Sequence, residues 1–473
     1  MRRFTLAAHG LRVEGGKRQA VLTGAKVEAN NAAPFRLHHK RSRKSMVLPL
    51  PSSTPETVLL AERLFDQLRV GSFDGVGITR ASYGASESRA MSLLKDVAIE
   101  CDLEVATDRA GNLLISLVGE EPDLPKVACG SHLDSVPEGG NYDGAAGVVA
   151  GLLALAHCKR NAIVPARTLR VMALRGEESA WFGQAYLGSK ALFGMLSEAD
   201  LARPQRETGK PLGDYMLEAG ADLAAISAGE SLLDPADLAC YLELHIEQGP
   251  VMVARNVELG VVTGIRGNHR HASITCTGEA AHSGAVPRWL RRDAVFAVSE
   301  FIMRIDRHWQ ALLEQGQDLV VTVGILNTNA SEHAMSRVPG EVTFALEYRS
   351  ESRELLADFE ALARSEAAGI ERLRGVKFDF SDSIFAEPAT MTETLVELLD
   401  SVCSELSVSH ERIPSGAGHD AAVFANQGIP TGMLFVRNED GSHNPYEKMD
   451  MADFIHGVDA LTMAMLRVPE ALS

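Results

Sequence analysis

The chain has 473 residues, 45% of them hydrophobic, which gives it room for two or three domains with full cores. A formal net charge of −17 argues against nucleic acid or an anionic membrane as a partner, and an aromatic share of 5% offers no stacking platform for bases. Six cysteines (Cys101, Cys129, Cys158, Cys240, Cys276 and Cys403) are dispersed without any CxxC pair, so they read as buried thiols of a reducing compartment, the cytoplasm.

Residues 1–45 form a different polymer. Eleven Lys/Arg face only Glu14 and Glu28, a net of +9, so the rest of the chain carries −26. Such a segment resembles an organelle transit peptide. The alternative is a translation start assigned too far upstream, with Met46 as the natural first residue. On either reading the segment is expected to be disordered and to take no part in catalysis.

Beyond Pro51 the pattern is α/β. Residues 57–68 and 85–101 have helical periodicity, and 103–107 and 113–118 read as strands around a turn at 108–112. A short apolar run at 127–130 stops at Ser131-His132, with Asp134 two residues on. A ligand His commonly passes its other N–H to a carboxylate, and His132-x-Asp134 fits that use. The Gly-rich GGNYDG places Asp143 before a small, apolar helical stretch at 145–157, too Gly-broken for a membrane span. Strand-like runs at 169–174 and 238–244 end before Glu177-Glu178 and before His245. Residues 196–237 between them are polar excursions without assigned chemistry.

A second unit is legible from about Gly264 to Gly375. Its pattern is strand 271–277, helix 292–313, strands 319–326 and 341–348, helix 352–367 and strand 376–380, the βαββαβ order of a ferredoxin-like unit. A final apolar run at 432–436 precedes His443. The organisation expected is therefore a basic extension (1–45), a first domain in two parts (46–263 and 376–473), and an insert (264–375).

Three imidazoles and two carboxylates, with a spare Glu beside a ligand Glu, suit a pair of divalent ions sharing a carboxylate. Zinc takes His nitrogen and carboxylate oxygen, and two ions roughly 3.5–4 Å apart can hold a hydroxide between them. In an open α/β sheet, strand carboxyl ends converge on one crevice, so four segments ending strands would meet there. The residues alone thus point to a metal-dependent hydrolase. A non-catalytic, metal-stabilised descendant would be expected to lack a ligand or Glu177, and none is missing.

The motifs GVGITRASYG, GSHLDSVPEGGNYDGAAGV, EESAWFG, ELHIEQGP, HSGAVP with RRDA, SGAGHDA and HNPYE resemble the amidase branch of the dinuclear-zinc aminoacylase-type hydrolases. That branch holds N-carbamoyl-L-amino acid hydrolases, allantoate amidohydrolases and β-ureidopropionases. The resemblance runs from about Arg69 to near the C-terminus. It implies a discontinuous dinuclear-metal catalytic domain, a mixed sheet flanked by helices, with the ferredoxin-like insert as lid and dimerisation domain of a homodimer. It implies one ion (zinc, or manganese or cobalt) on His132, Asp143 and His245, and another on Asp143, Glu178 and His443, with Asp143 bridging. His245, where relatives carry a carboxylate, favours an amidase over a peptidase.

By the same resemblance Glu177 is the general base, and His282 donates to the scissile carbonyl in the partner subunit's site. Arg349 clamps the substrate carboxylate, while Gln248 and the N–H groups of the loop around Gly416 and Gly418 face the substrate. The peptide after Asp143 is often cis in such folds, at a cost of about 3–4 kcal/mol without proline. Two departures stand out: Ser336 where the family has Asn, which alters the carboxylate clamp, and Trp181 where it has Arg. The implied reaction is hydrolysis of an N-carbamoyl-L-amino acid, with allantoate-type ureido cleavage, or N-acyl amino acid or dipeptide cleavage, as alternatives.

Overall fold

The computed structural model describes residues 50–51 and 54–472, so the expectations for the basic N-terminal segment lie outside the described residues. Two helices open the described chain, α1 (Pro55–Val70) and α2 (Ala85–Glu100), followed by a hairpin of β1 (Glu104–Thr107) and β2 (Leu113–Leu117). Then come β3 (Lys126–His132), α3 (Ala145–Arg160), β4 (Leu169–Leu174), β5 (Leu238–Ile246) and β6 (Leu259–Ile265). Between β4 and β5 the polar stretch folds into short helices.

A second sheet follows: β7 (Gly267–Thr277), α4 (Ala294–Glu314), β8 (Val320–Thr322), β9 (Leu326–Thr328), β10 (Glu341–Ser350), α5 (Arg353–Arg374), β11 (Lys377–Phe380) and β12 (Ser383–Ala386). The chain then returns to the first sheet with β13 (Ala389–Thr390), α6 (Glu393–Leu406), β14 (His410–Ser415), α7 (Asp420–Asn426), β15 (Thr431–Val436) and α8 (Met451–Ala471). The fold is thus mixed α/β, with sheets flanked by helices.

The first sheet runs β1-β2-β4-β3-β5-β15-β6-β13, with β14 also on β6. Its four central strands, β4, β3, β5 and β15, are mutually parallel. Their carboxyl ends therefore point the same way, and His132 pairs in register with Leu174, the last residue of β4. The second sheet runs β9-β10-β7-β11 with antiparallel pairing throughout, and it has its own core around Phe301, Phe344, Phe359 and Phe378. Two details differ from the sequence reading. The run at 319–326 breaks into β8 and β9, and β12 extends this sheet past Gly375 by pairing with the first half of β7.

What seats the site is the helix α3. Fourteen of its residues are buried, from Ala145 to Cys158. A Cβ on Gly147 would come 2.2 Å from the Leu244 carbonyl oxygen, and one on Gly151 would lie 2.8 Å from Cys129 Sγ. The helix thus lies directly on β3 and β5, and its N-terminus hangs over their ends. In a free helix Gly→Ala is favourable by ~1 kcal/mol. Here Gly147→Ala is expected to destabilise by about 1–3 kcal/mol, the usual cost of overpacking; urea unfolding of the two chains measures it.

Candidate metal centre

Asp143 immediately precedes α3, and its carboxylate is the meeting point of the expected ligands. One oxygen, Oδ1, lies 3.2 Å from His245 Nε2 and 3.6 Å from His132 Nε2. The other, Oδ2, lies 3.3 Å from His443 Nε2, which is in turn 3.4 Å from Glu178 Oε1. The residues therefore form two three-ligand clusters, His132–Asp143–His245 and Asp143–Glu178–His443, which share one carboxylate. Only His443 is substantially exposed, so the centre opens to solvent on that side.

Both buried imidazoles are oriented from behind. His245 Nδ1 faces the Ile246 carbonyl at 2.9 Å, and His132 Nδ1 faces the Asp134 carbonyl at 3.1 Å and its carboxylate at 3.3 Å. With Nδ1 as the donor, each ring turns the Nε2 lone pair toward Asp143, the tautomer a metal requires. Asp134 does more than hold His132. It accepts the backbone N–H groups of Glu177 and Glu178 at 3.0 and 3.1 Å and the Ser82 hydroxyl, tying the loop after β4 to the end of β3.

The chemistry of this donor set fits divalent ions. Asp143 Oδ1 and Glu178 Oε1 are buried with no hydrogen-bond partner, an unfavourable state unless something else satisfies them. Burial pushes the Asp143 carboxyl up, yet His132, His245 and His443 outweigh it and hold it well below the usual range. The neighbouring Asp143 carboxylate raises His443 to about 9. Burial and Asp143 lift Glu178 to about 7. Protons thus take the places that cations would fill.

Glu177 sits at the edge, its Oε2 4.0 Å from His132 Nε2, and burial pushes its carboxyl well above the ordinary value. Gln248 lies closer to the ligands than expected: its Nε2 donates to Asp143 Oδ2 at 2.8 Å, and its backbone takes a left-handed φ of 62°. Arg349 donates to the Gly416 carbonyl at 2.9 Å and pairs with Glu347 at 3.0 Å. Gly416 and Gln248 line a cavity of about 520 Å³, into which Arg255, Arg266 and Arg412 also face. Gly418 packs against the Tyr186 hydroxyl, where a Cβ would come 1.7 Å from the oxygen.

His282 and Ser336 sit together elsewhere, where the two-residue strands Ala281–His282 and Arg337–Val338 pair antiparallel as a separate small sheet. The Ser283 N–H donates to the Ser336 carbonyl, and exposed His282 accepts the Gly284 and Ala285 N–H groups at Nδ1. Trp181 is buried and donates from Nε1 to the Ser135 carbonyl at 2.7 Å, bracing the loop after His132.

One expectation is corrected. No cis peptide occurs among the described residues, so the bond after Asp143 is trans. Gly144 instead resolves the crowding with a positive φ of 64° and no side chain; a Cβ there would lie 2.5 Å from the His132 ring.

Sequence reasoning missed Glu447, Ser442 and His419. Glu447 accepts the N–H groups of Tyr142 and Asp143 and the Ser442 hydroxyl, and Ser442 also reaches Asp143 Oδ2 at 2.6 Å. His419 packs edge-on against His245 at 4.4 Å. Glu447 and His419 lie inside the motifs HNPYE and SGAGHDA, which carried the signal without fixing a role.

The chain belongs to peptidase family M20/M25/M40, whose model matches residues 128–467. It is 33% identical to an N-carbamoyl-L-amino-acid amidohydrolase of Paenarthrobacter aurescens over 87% of this chain and 98% of that protein. It is 31% identical to an allantoate amidohydrolase of Escherichia coli (strain K12) over 83% and 93%. Among solved structures, an amidase of the hydantoinase/carbamoylase family from Burkholderia multivorans superposes with a TM-score of 0.76 at 29% identity, covering 86% of this chain and 97% of that one.

The sharing of Asp143 generates an asymmetry. Asp143→Ala is expected to abolish zinc retention at both clusters, whereas His443→Ala weakens one and leaves the other measurable by elemental analysis after gel filtration. Equal loss from both sites in His443→Ala would contradict the assignment.

Proposed function

We propose that the chain is a homodimeric, metal-dependent amidohydrolase that cleaves a C–N bond of an N-carbamoyl-L-amino acid or a related ureido compound. The observation that carries this reading is the single Asp143 carboxylate shared by two ligand clusters with Glu177 beside them. Two divalent ions there, zinc or, with the same N/O ligands, manganese or cobalt, would polarise the scissile carbonyl and acidify a water.

Glu177 accepts the proton of the attacking water and returns it to the leaving nitrogen. Its burial, which raises its proton affinity, suits it to hold that proton between the two steps. Glu178 and Asp134 fix its position, one as a ligand neighbour and the other through its backbone. The planar Arg349 fork suits a substrate carboxylate, which would replace the Gly416 carbonyl it now holds. Gln248 orients Asp143 and stands between it and the neighbouring cavity.

In this reading residues 46–263 form the first part of the discontinuous catalytic domain, which resumes after Ala386 rather than at 376 because β11 and β12 still belong to the second sheet. Residues from 264 onward, with the sheet's last strand ending at Ala386, form the ferredoxin-like lid and dimerisation unit. The Thr263 hydroxyl donates to Glu351 across their junction, and Arg266 pairs with Asp318 just inside the second unit. Support for pairing of two copies comes from Trp289, Phe296 and Leu326 of this unit, all exposed, with Leu326 on an edge strand that has free backbone groups. The same surface would bring His282 to the partner's cluster as a carbonyl donor. The proposed compartment is the cytoplasm. No helix among the described residues is long and apolar enough to cross a membrane.

A turnover panel tests the substrate class: N-carbamoyl-L-amino acids and allantoate are expected to outrun N-acyl amino acids and dipeptides. A preference for dipeptides would overturn the reading. Glu177→Gln keeps the shape and removes the proton acceptor. It is expected to lower kcat by roughly 10²–10⁴-fold with metal content intact; loss of metal would make Glu177 a ligand instead. Heterodimers of His282→Ala and Glu177→Gln subunits are expected to regain activity at one of their two sites, since an intact Glu177 then meets an intact His282. Verified heterodimers as inactive as their parents would remove His282 from the partner's site.

A further inference from the structure

The second sheet carries a histidine pair that the hydrolytic site does not use. His269 and His271 stand two residues apart on β7, so their side chains leave the same face of the strand. A bulge between His271 and Ile274, opposite Phe344–Leu346, carries that face on to Ile274 and Cys276, both fully buried beneath the helices. The two imidazoles thus occupy places where the pattern calls for apolar side chains. Their rings stack with centroids 5.1 Å apart and planes 23° apart. Glu360, from α5, reaches them, its Oε2 2.9 Å from His271 Nε2. One nitrogen of each ring and one oxygen of Glu360 all lie within 4.8 Å of one another.

Two ring nitrogens are left over. His269 Nε2 and His271 Nδ1 are buried without a hydrogen-bond partner, and His271 is only 1% exposed. A neutral imidazole offers one donor and one lone pair, so the protein leaves capacity here that it does not itself use. Glu360 is held as a carboxylate ligand would need to be. The Tyr348 hydroxyl donates to Oε2 and Arg364 Nε to Oε1.

We propose that His269, His271 and Glu360 bind one transition-metal dication of the zinc type, separate from the Asp143 clusters, and that this ion pins β7 to α5. Two imidazole nitrogens and a carboxylate oxygen are a zinc donor set. Tyr348 and Arg364 act behind the ligand carboxylate, as outer partners do in metal sites. Water completes the coordination from the half-buried His269 side.

The test uses the full chain with Asp143→Ala, which disrupts both shared clusters. It is equilibrated with Zn²⁺ and analysed for metal after gel filtration. One zinc per chain is expected, and none when His269→Phe is added; this substitution is chosen because His269 is only half-buried and already packs against Tyr348 and Phe385. The same comparison in the otherwise unaltered protein guards against misfolding of Asp143→Ala, and His269→Phe is expected to hold one zinc fewer. Equal zinc content with and without His269→Phe, or no zinc in folded Asp143→Ala, would overturn the proposal.

Discussion

Everything at the centre depends on one buried anion. The Asp143 carboxylate is almost wholly removed from solvent, a costly place for a charge unless partners surround it. Its partners come from the ends of three adjacent central strands: His132 from β3, His245 and Gln248 from β5 and the turn after it, and His443 and Ser442 from the loop after β15. Glu447 fixes the backbone that carries it. That convergence is possible because α3 sits without side chains at Gly144, Gly147 and Gly151 on the strands beneath. The glycines set the distance, and the distance sets the site.

A second layer of constraint runs through Asp134. By accepting two consecutive backbone N–H groups, it positions Glu177 and Glu178 while it orients His132. One carboxylate therefore couples two candidate ligands and the candidate base. Trp181 closes this loop from the core side through the Ser135 carbonyl, which gives a structural reason for tolerating a Trp at that position. Arg80 belongs to the same layer: fully buried, it donates from Nε to the Leu133 carbonyl at 2.6 Å and faces Glu447, Asp134 and Asp143 as a counter-charge.

Much of this was legible in the chain because strand ends and ligand types coincide. The runs ending at His132, Glu177 and His245 become β3, β4 and β5 with boundaries within a few residues of those expected, and their parallel pairing brings the ligands together. The second sheet was legible because α4 and α5 alternate buried and exposed positions cleanly. The break between β8 and β9 escaped notice because both flanks are apolar, so no change of period marks it. Glu447 and Ser442 escaped because they act across some 300 residues of chain, Glu447 on the backbone N–H groups of Tyr142 and Asp143 and Ser442 on the Asp143 carboxylate, and no local spacing encodes such contacts. The trans peptide after Asp143 could not be read from residue type, since Gly144 accommodates either geometry.

Whether Asp143 holds two ions at once is settled by crystals of zinc-loaded protein measured on both sides of the zinc absorption edge. Two anomalous peaks are expected, one on each side of the Asp143 carboxylate and roughly 3.5–4 Å apart. The first would lie within bonding reach of His132 and His245, the second of Glu178 and His443. A single peak at this centre, or two peaks that do not share Asp143, would contradict a bridging Asp143.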